Sequence, residues 1–196
     1  ASRDLVITDV GSTKAAIEAA AIEAFGELPA RFVLGHPIAG SEKSGVAAAN
    51  PELYQAHKVI LTPTCATDPE ALERVRALWQ LTGAEVLEMD VARHDQVLAR
   101  TSHLPHLLAF SLVDTLARQD ERLEIFRYAA GGFRDFTRIA GSDPVMWRDI
   151  ALTNREALLD AMDALAVEHS RLRELIDAGD GEGMEQYFMR CRQLRR

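Results

Sequence analysis

The chain is poor in cysteine, has no long apolar run and carries no surplus of positive charge, and each shortage removes a class of function. Cys65 and Cys191 are the only two cysteines in 196 residues. They stand far apart and in no metal-like or redox-like spacing, so they read as buried or half-buried free thiols of a reducing compartment. No run of roughly 18 apolar residues offers a membrane helix, and the first residues lack the charged, apolar and small-residue regions of a secretory leader. A cytoplasmic location without a membrane partner is expected. The 22 basic side chains are outnumbered by 30 acidic ones, for a formal net charge of -8. That balance is the opposite of the basic stripe that marks a nucleic-acid surface. A small molecule is the expected partner. Arg190, Arg192, Arg195 and Arg196 crowd the C-terminus, where cations complement a helix dipole, and they are assigned no ligand.

What is present is an ordinary globular composition, 47% hydrophobic and 27% charged, organised in two halves. In the first half, strand-like runs at Leu5 to Thr8, Arg31 to Leu34, Lys58 to Leu61 and Glu85 to Leu87 alternate with helical stretches at Lys14 to Phe25 and Pro69 to Leu81. Alternation of this kind means βαβ units and a mostly parallel sheet. Four visible strands are too few for a complete dinucleotide-binding domain of the Rossmann type, and no GxGxxG turn occurs. At least one further βαβ unit of about 30 residues is therefore expected. After Met89 the pattern is helical throughout, which places a boundary near Asp90: an incomplete Rossmann-type α/β domain over 1–89 and an all-helical domain over 90–196. His94 to Arg118 is apolar almost all round, as a helix buried in a bundle or between subunits would be. Pro105 is expected to kink it and to free polar groups near Thr101 and Ser102. Leu158, Met162, Leu165, His169, Leu172 and Ile176 follow a 4-3-4-3-4 spacing, the seam of a helix packed lengthwise on another. Gly179 and Gly181 are expected to end it, and a last helix runs from Met184 to Leu194.

The candidate chemistry gathers at the carboxyl ends of the strands, where open parallel sheets bind ligands. Asp9-Val10-Gly11-Ser12-Thr13-Lys14 follows the first strand and Gly35-His36-Pro37 the second, so Ser12 and His36 arrive at one edge. The plain alternative for Ser12 is an N-cap, and for His36 a loop imidazole without a role. Pro37 restricts His36 to extended backbone, and 39–45 has the small, polar composition of a binding loop. His94, His103 and His106 cluster at the start of the helical half. No cysteine or carboxylate completes a ligand set beside them, so no metal is expected. His57 gets no role, and His169 reads as a core or interface histidine. Gly131-Gly132-Phe133-Arg134-Asp135-Phe136-Thr137-Arg138 reads as a loop, followed by Asp143-Pro144 as N-cap and first residue of a helix. Either Arg134 or Arg138 suits bidentate carboxylate recognition. The plain alternative is a surface ion pair with Asp135.

Taken together, Thr8-Asp9-Val10-Gly11-Ser12-Thr13-Lys14, the run from Gly35-His36-Pro37 to Gly45, His94-Asp95, Ser102-His103-Leu104-Pro105-His106, and Gly131 to Ala140 before Met146-Trp147-Arg148-Asp149 resemble the prephenate/arogenate (cyclohexadienyl) dehydrogenases of tyrosine biosynthesis in order and spacing. The resemblance covers nearly the whole chain. It implies a Rossmann domain joined to a helical domain through which two subunits form a homodimer, with NAD or NADP as cofactor and prephenate or arogenate as substrate. It further implies that His36 is the catalytic base for the ring hydroxyl and that Ser12 orients that hydroxyl and His36. Ser12 and Pro37 then lie beside the cofactor. Arg138 pairs with a substrate carboxylate, and His106 lines the same pocket. Trp147 and His94 contribute to substrate binding, and Glu42 pairs with the arginine and gates the pocket.

Two rival readings remain at this point. A β-hydroxyacid-type dehydrogenase also joins a Rossmann domain to a helical one, but it relies on a lysine in the helical half, and His94 to Arg196 contains none. A non-catalytic helical dimerisation or ligand-sensing module would need no nicotinamide at all.

Overall fold

The computed structural model describes residues 4–40, 45–119 and 122–195. By compactness the chain forms two units, Ala1–Leu158 and Leu159–Arg196, and the candidate chemistry lies in the first.

The first unit opens with β1 (Ile7–Thr8), α1 (Ala15–Phe25), β2 (Phe32–Val33), β3 (Gly35–Ile38), β4 (Lys58–Leu61), α2 (Pro69–Leu81) and β5 (Glu85–Glu88). β1 pairs parallel with β2, and β4 pairs parallel with β5. Between them β3 runs antiparallel to β4, with His36 opposite Ile60 and Pro37 opposite Val59. The segment around His36-Pro37, expected at the carboxyl end of the second strand, is thus a strand of its own. The chain leaves β2 through Leu34 straight into β3 with no turn residue to announce the change of partner. Pro37 is tolerated because a proline removes only one ladder donor. His36 gains from this: its backbone is held on a ladder instead of a mobile tip.

α1 is alanine-rich, which favours helix, and ends at Gly26, whose φ of 84° is the left-handed cap geometry. α2 starts on the Asp68 cap and Pro69, as sequence rules for a helix start require. Its Ala71, Val75 and Trp79, spaced by four, turn inward onto Val33, Val59, Leu61 and Ala84. This small core holds the strands against α2.

The helical half continues with α3 (Val91–Leu98), α4 (Leu104–Ala117), α5 (Arg122–Arg127), α6 (Gly131–Thr137), α7 (Pro144–Thr153), α8 (Arg155–Asp177) and α9 (Gly181–Leu194). Pro105 acts where expected, though through a specific device. Ala99–His103 forms a single π-helical turn in which the Leu104 N–H reaches back to the Ala99 carbonyl. The widened turn accommodates a proline that can neither donate a hydrogen bond nor clear the preceding carbonyls. Other expectations need correction. The stretch from Gly131 is no loop: it forms α6 and then a 3₁₀ turn over Arg138–Gly141, since the glycine pair only starts the helix. Gly179, at φ 63°, follows the end of α8, whereas Gly181 begins α9 behind the Asp180 cap. Both cysteines are exposed, not buried.

Candidate functional site

Asp95, at the centre of α3, organises the site. Its carboxylate accepts the Lys14 N–H at 2.8 Å and the Ala15 N–H at 2.9 Å, capping α1 from 80 residues away. Ser12 is therefore not the N-cap of α1; the cap position falls on Lys14, whose side chain makes no capping bond. Burial opposes ionisation of Asp95, but the hydrogen bonds from His94 and from the two backbone amides outweigh it and hold the carboxyl below its ordinary range.

The same carboxylate accepts from His94 Nδ1 at 2.8 Å. A neutral imidazole has one donor and one acceptor nitrogen, so His94 Nε2 accepts, and its partner at 2.9 Å is His36 Nδ1. The two rings meet edge to face with centroids 5.1 Å apart. The chain Asp95–His94–His36 thus places the His36 proton on Nδ1 and leaves its Nε2 as a bare acceptor. Burial, then the neighbouring His94 and Lys14, push the His36 pKa down to about 3.

A second brace fixes the backbone on either side. Lys14, fully buried, forms an ion pair with Asp9 and donates to the Gly35 carbonyl at 2.6 Å. Asp9 in turn accepts from the Gly11 N–H at 2.8 Å and the Gly35 N–H at 2.9 Å. The turn that carries Ser12 and the strand that carries His36 are pinned to one partly buried charge pair. Burial lowers the Lys14 pKa, and Asp9 opposes the shift.

These elements enclose a cavity of about 570 Å³ lined by Ser12, His36 and Pro37 from the first half and by Ser102, His103, His106, Arg138 and Trp147 from the second. His106 donates from Nδ1 to the Ser102 carbonyl at 2.9 Å and stacks on Trp147, with ring centroids 3.7 Å apart. Its pKa is lowered by burial and by Arg138, against the Ser102 bond. The buried Trp147 Nε1 finds no acceptor among the described residues, a donor of the kind a ligand or water satisfies. His103, 1% exposed, has its pKa pushed down to about 4 by burial, with Asp95 opposing.

Ser12, His36, Pro37, His106, Arg138 and Trp147 therefore meet in one cavity. His94, expected among the substrate-binding residues, is fully buried and does not line the cavity; it meets His36 through its Nε2. Glu42 lies outside the described residues. Sequence reasoning gave no role to Asp95, His103, Lys14 or Asn154. The His-Asp pair was in view, but its contact with His36 spans 58 residues and no local pattern encodes it. No group of three metal-ligating side chains occurs among the described residues, and no described helix is long and apolar enough to cross a membrane.

Comparison with known proteins matches residues 1–88 to the family model "Prephenate dehydrogenase, nucleotide-binding domain" and residues 90–190 to "Prephenate dehydrogenase, dimerization domain". The chain is 43% identical over 195 residues to the prephenate dehydrogenase of Bacillus subtilis, covering 98% of this chain and 52% of that protein. It is 37% identical to the cyclohexadienyl dehydrogenase of Zymomonas mobilis, covering 98% of this chain and 66% of the relative. The chain thus spans about half the length of the first relative and just under two thirds of the second. Among solved structures, prephenate dehydrogenase from A. aeolicus in complex with hydroxyphenyl propionate and NAD+ superposes with a TM-score of 0.90 at 43% identity, over 99% of this chain and 67% of that one. Synechocystis arogenate dehydrogenase gives 0.81 at 29% identity, over 97% of this chain and 68% of that one.

The buried histidines predict an acid-labile fold. His36 and His103 have pKa values far below their ordinary 6.5, so the unfolded chain takes up protons that the folded one refuses, and their stabilising effect, complete above about pH 6.5, declines as pH falls. The melting temperature should drop between about pH 6.5 and pH 5, where most carboxylates remain ionised. The drop should be shallower in His36→Asn and His103→Asn. A profile that is flat over that interval, or a slope indifferent to both substitutions, contradicts buried neutral histidines.

Proposed function

This chain belongs to the prephenate dehydrogenase family, and from that premise we propose that it catalyses the NAD- or NADP-dependent oxidative decarboxylation of prephenate or arogenate, giving 4-hydroxyphenylpyruvate or tyrosine. The observation that carries the reading is the bare Nε2 of His36, set by Asp95 and His94, in a cavity that also holds Arg138 and an unsatisfied Trp147 donor.

His36 Nε2 accepts a hydrogen bond from the ring hydroxyl and takes its proton as the carbon beneath it is oxidised. Ser12 lies on the same cavity wall and orients that hydroxyl. A nicotinamide held beside Ser12 and Pro37 supplies the hydride acceptor; these residues and the position of the cavity beyond the carboxyl end of β1 fit that end of the cofactor. Oxidation leaves a ring carbonyl, and departure of the ring carboxylate as carbon dioxide sends an electron pair through the ring to that oxygen. The resulting phenolate recovers its proton from His36, so the proton is borrowed and returned. Arg138 pairs with the side-chain carboxylate, and His106 lines the same end of the cavity. Both Glu42 as a gate and the domain boundary at 89/90 belong to this proposal, the boundary resting on the change from strands to helices at Asp90.

We further propose that the partner is a second copy of the chain, bound through the helical half. In the single chain no residue of α4 except Ala109 is fully buried, and α9 exposes Phe188 and Met189 around a hollow of about 430 Å³. The reducing cytoplasm suits the two unpaired, exposed thiols.

Kinetics on the intact protein test the roles. His36→Asn should lower kcat by roughly 100-fold to 10,000-fold with little change in KM, the worth of a positioned base. Arg138→Ala should instead raise KM, as loss of a contact made in ground and transition states alike does. Equal losses of binding and turnover in His36→Asn, or an unaltered KM in Arg138→Ala, would overturn the respective assignment.

A further inference from the structure

Asn154 is 5% exposed and sits where α7 stops and α8 begins, with φ -115° and ψ 35°. Its amide orientation follows from chemistry. The Asp95 backbone carbonyl, 2.8 Å away, can only accept, so the Asn154 atom facing it is Nδ2. The second Nδ2 hydrogen meets His103 Nδ1 at 3.1 Å. His103 Nδ1 is thereby the acceptor of the ring, and the proton of the neutral imidazole lies on Nε2. Nε2 has no partner among the described residues, and His103 lines the cavity that His36 also lines. His103 is also among the neighbours that lower the His36 pKa.

We propose that Asn154 is a positioning residue that locks His103 as an Nε2–H donor into the cavity, opposite the acceptor nitrogen of His36, so that the substrate hydroxyl oxygen receives one hydrogen bond while giving another. The proposal rests on the dehydrogenase reading for its substrate and on the hydrogen-bond geometry for everything else. An alcohol oxygen is matched by such a pair better than by two acceptors. When its proton passes to His36 and the carbon becomes a carbonyl, the oxygen keeps its bond from His103. That bond strengthens as negative charge collects there during aromatisation, which is where a fixed donor counts most. The same Asn154 amide steadies the Asp95 backbone, so one side chain sets both the donor and, through Asp95 and His94, the acceptor.

The test combines spectroscopy and kinetics on the intact protein labelled with 15N-histidine. Long-range proton–nitrogen correlation, with His103 assigned by its loss in His103→Asn, should show the Nε2–H tautomer from about pH 5.5 to pH 8. Asn154→Ala should give a mixture of tautomers and lower kcat by roughly tenfold to a hundredfold, the usual worth of a partner that orients a functional histidine. KM should stay within about threefold. A residue that merely joins two helices would alter stability without altering the tautomer. A wild-type proton on Nδ1, a cationic His103 at neutral pH, or an unchanged tautomer and kcat in Asn154→Ala each overturn the proposal. If Asn154→Ala does not fold, Asn154→Ser and the wild-type spectra decide. Absence of turnover of prephenate and arogenate by the wild type would sink the dehydrogenase reading alone, and the lock would still stand or fall on the spectra.

Discussion

The carboxylate of Asp95 is the constraint on which the site depends. It is a single buried anion, and three N–H groups converge on it: the amides of Lys14 and Ala15 and the ring of His94. An anion at a helix N-terminus is favourable in its own right, because it meets unsatisfied donors and the positive end of the dipole. Here the donors lie on α1 and the carboxylate on α3, so a local capping rule is used to join a strand-rich segment to a helical one. Removing the carboxylate would leave α1 uncapped, His94 without its orienting acceptor, and His36 free to present either nitrogen to the cavity.

The electrostatics of the cavity follow from that arrangement. Three histidines with lowered pKa values, His36, His103 and His106, share it with Arg138. Burial is the largest cause for each. The result is a chamber with few mobile protons of its own, in which donor and acceptor nitrogens are set by their outer partners instead of by solvent pH. Arg138 brings a guanidinium to the same lining. The buried pair Lys14–Asp9 contributes no charge to the chamber on balance; its work is mechanical, holding Gly11 and Gly35 where Ser12 and His36 need them. An isolated buried ion pair is weak evidence for stability, but this one is satisfied by backbone groups of the turn after β1 and of β3 and so fixes position.

Much of this was legible in the sequence. The alternation of strands and helices to Met89, the helix starts at Pro69 and at Asp143-Pro144, and the disturbance before Pro105 all follow from short-range rules, and Ser12, His36, His106, Arg138 and Trp147 do line one cavity. What was not legible shares one cause. β3 is a strand because β4 lies beside it, Gly131 to Thr137 is a helix although a glycine pair opens it, and Asn154 reaches the site only through its hydrogen bonds to Asp95 and His103, 59 and 51 residues away. His94 shows the same limit in reverse: its sequence neighbours place it near the site, but only tertiary packing buries it against His36.

The most direct test is the protonation pattern of His36 itself. In the 15N-histidine-labelled intact protein at about pH 7, where a free histidine is mostly neutral with both tautomers accessible, His36 should show a protonated Nδ1 and a bare Nε2. Replacing Asp95 by alanine should abolish that preference. A wild-type His36 with its proton on Nε2, or one whose tautomer is indifferent to Asp95→Ala, would contradict a base aligned by Asp95 through His94.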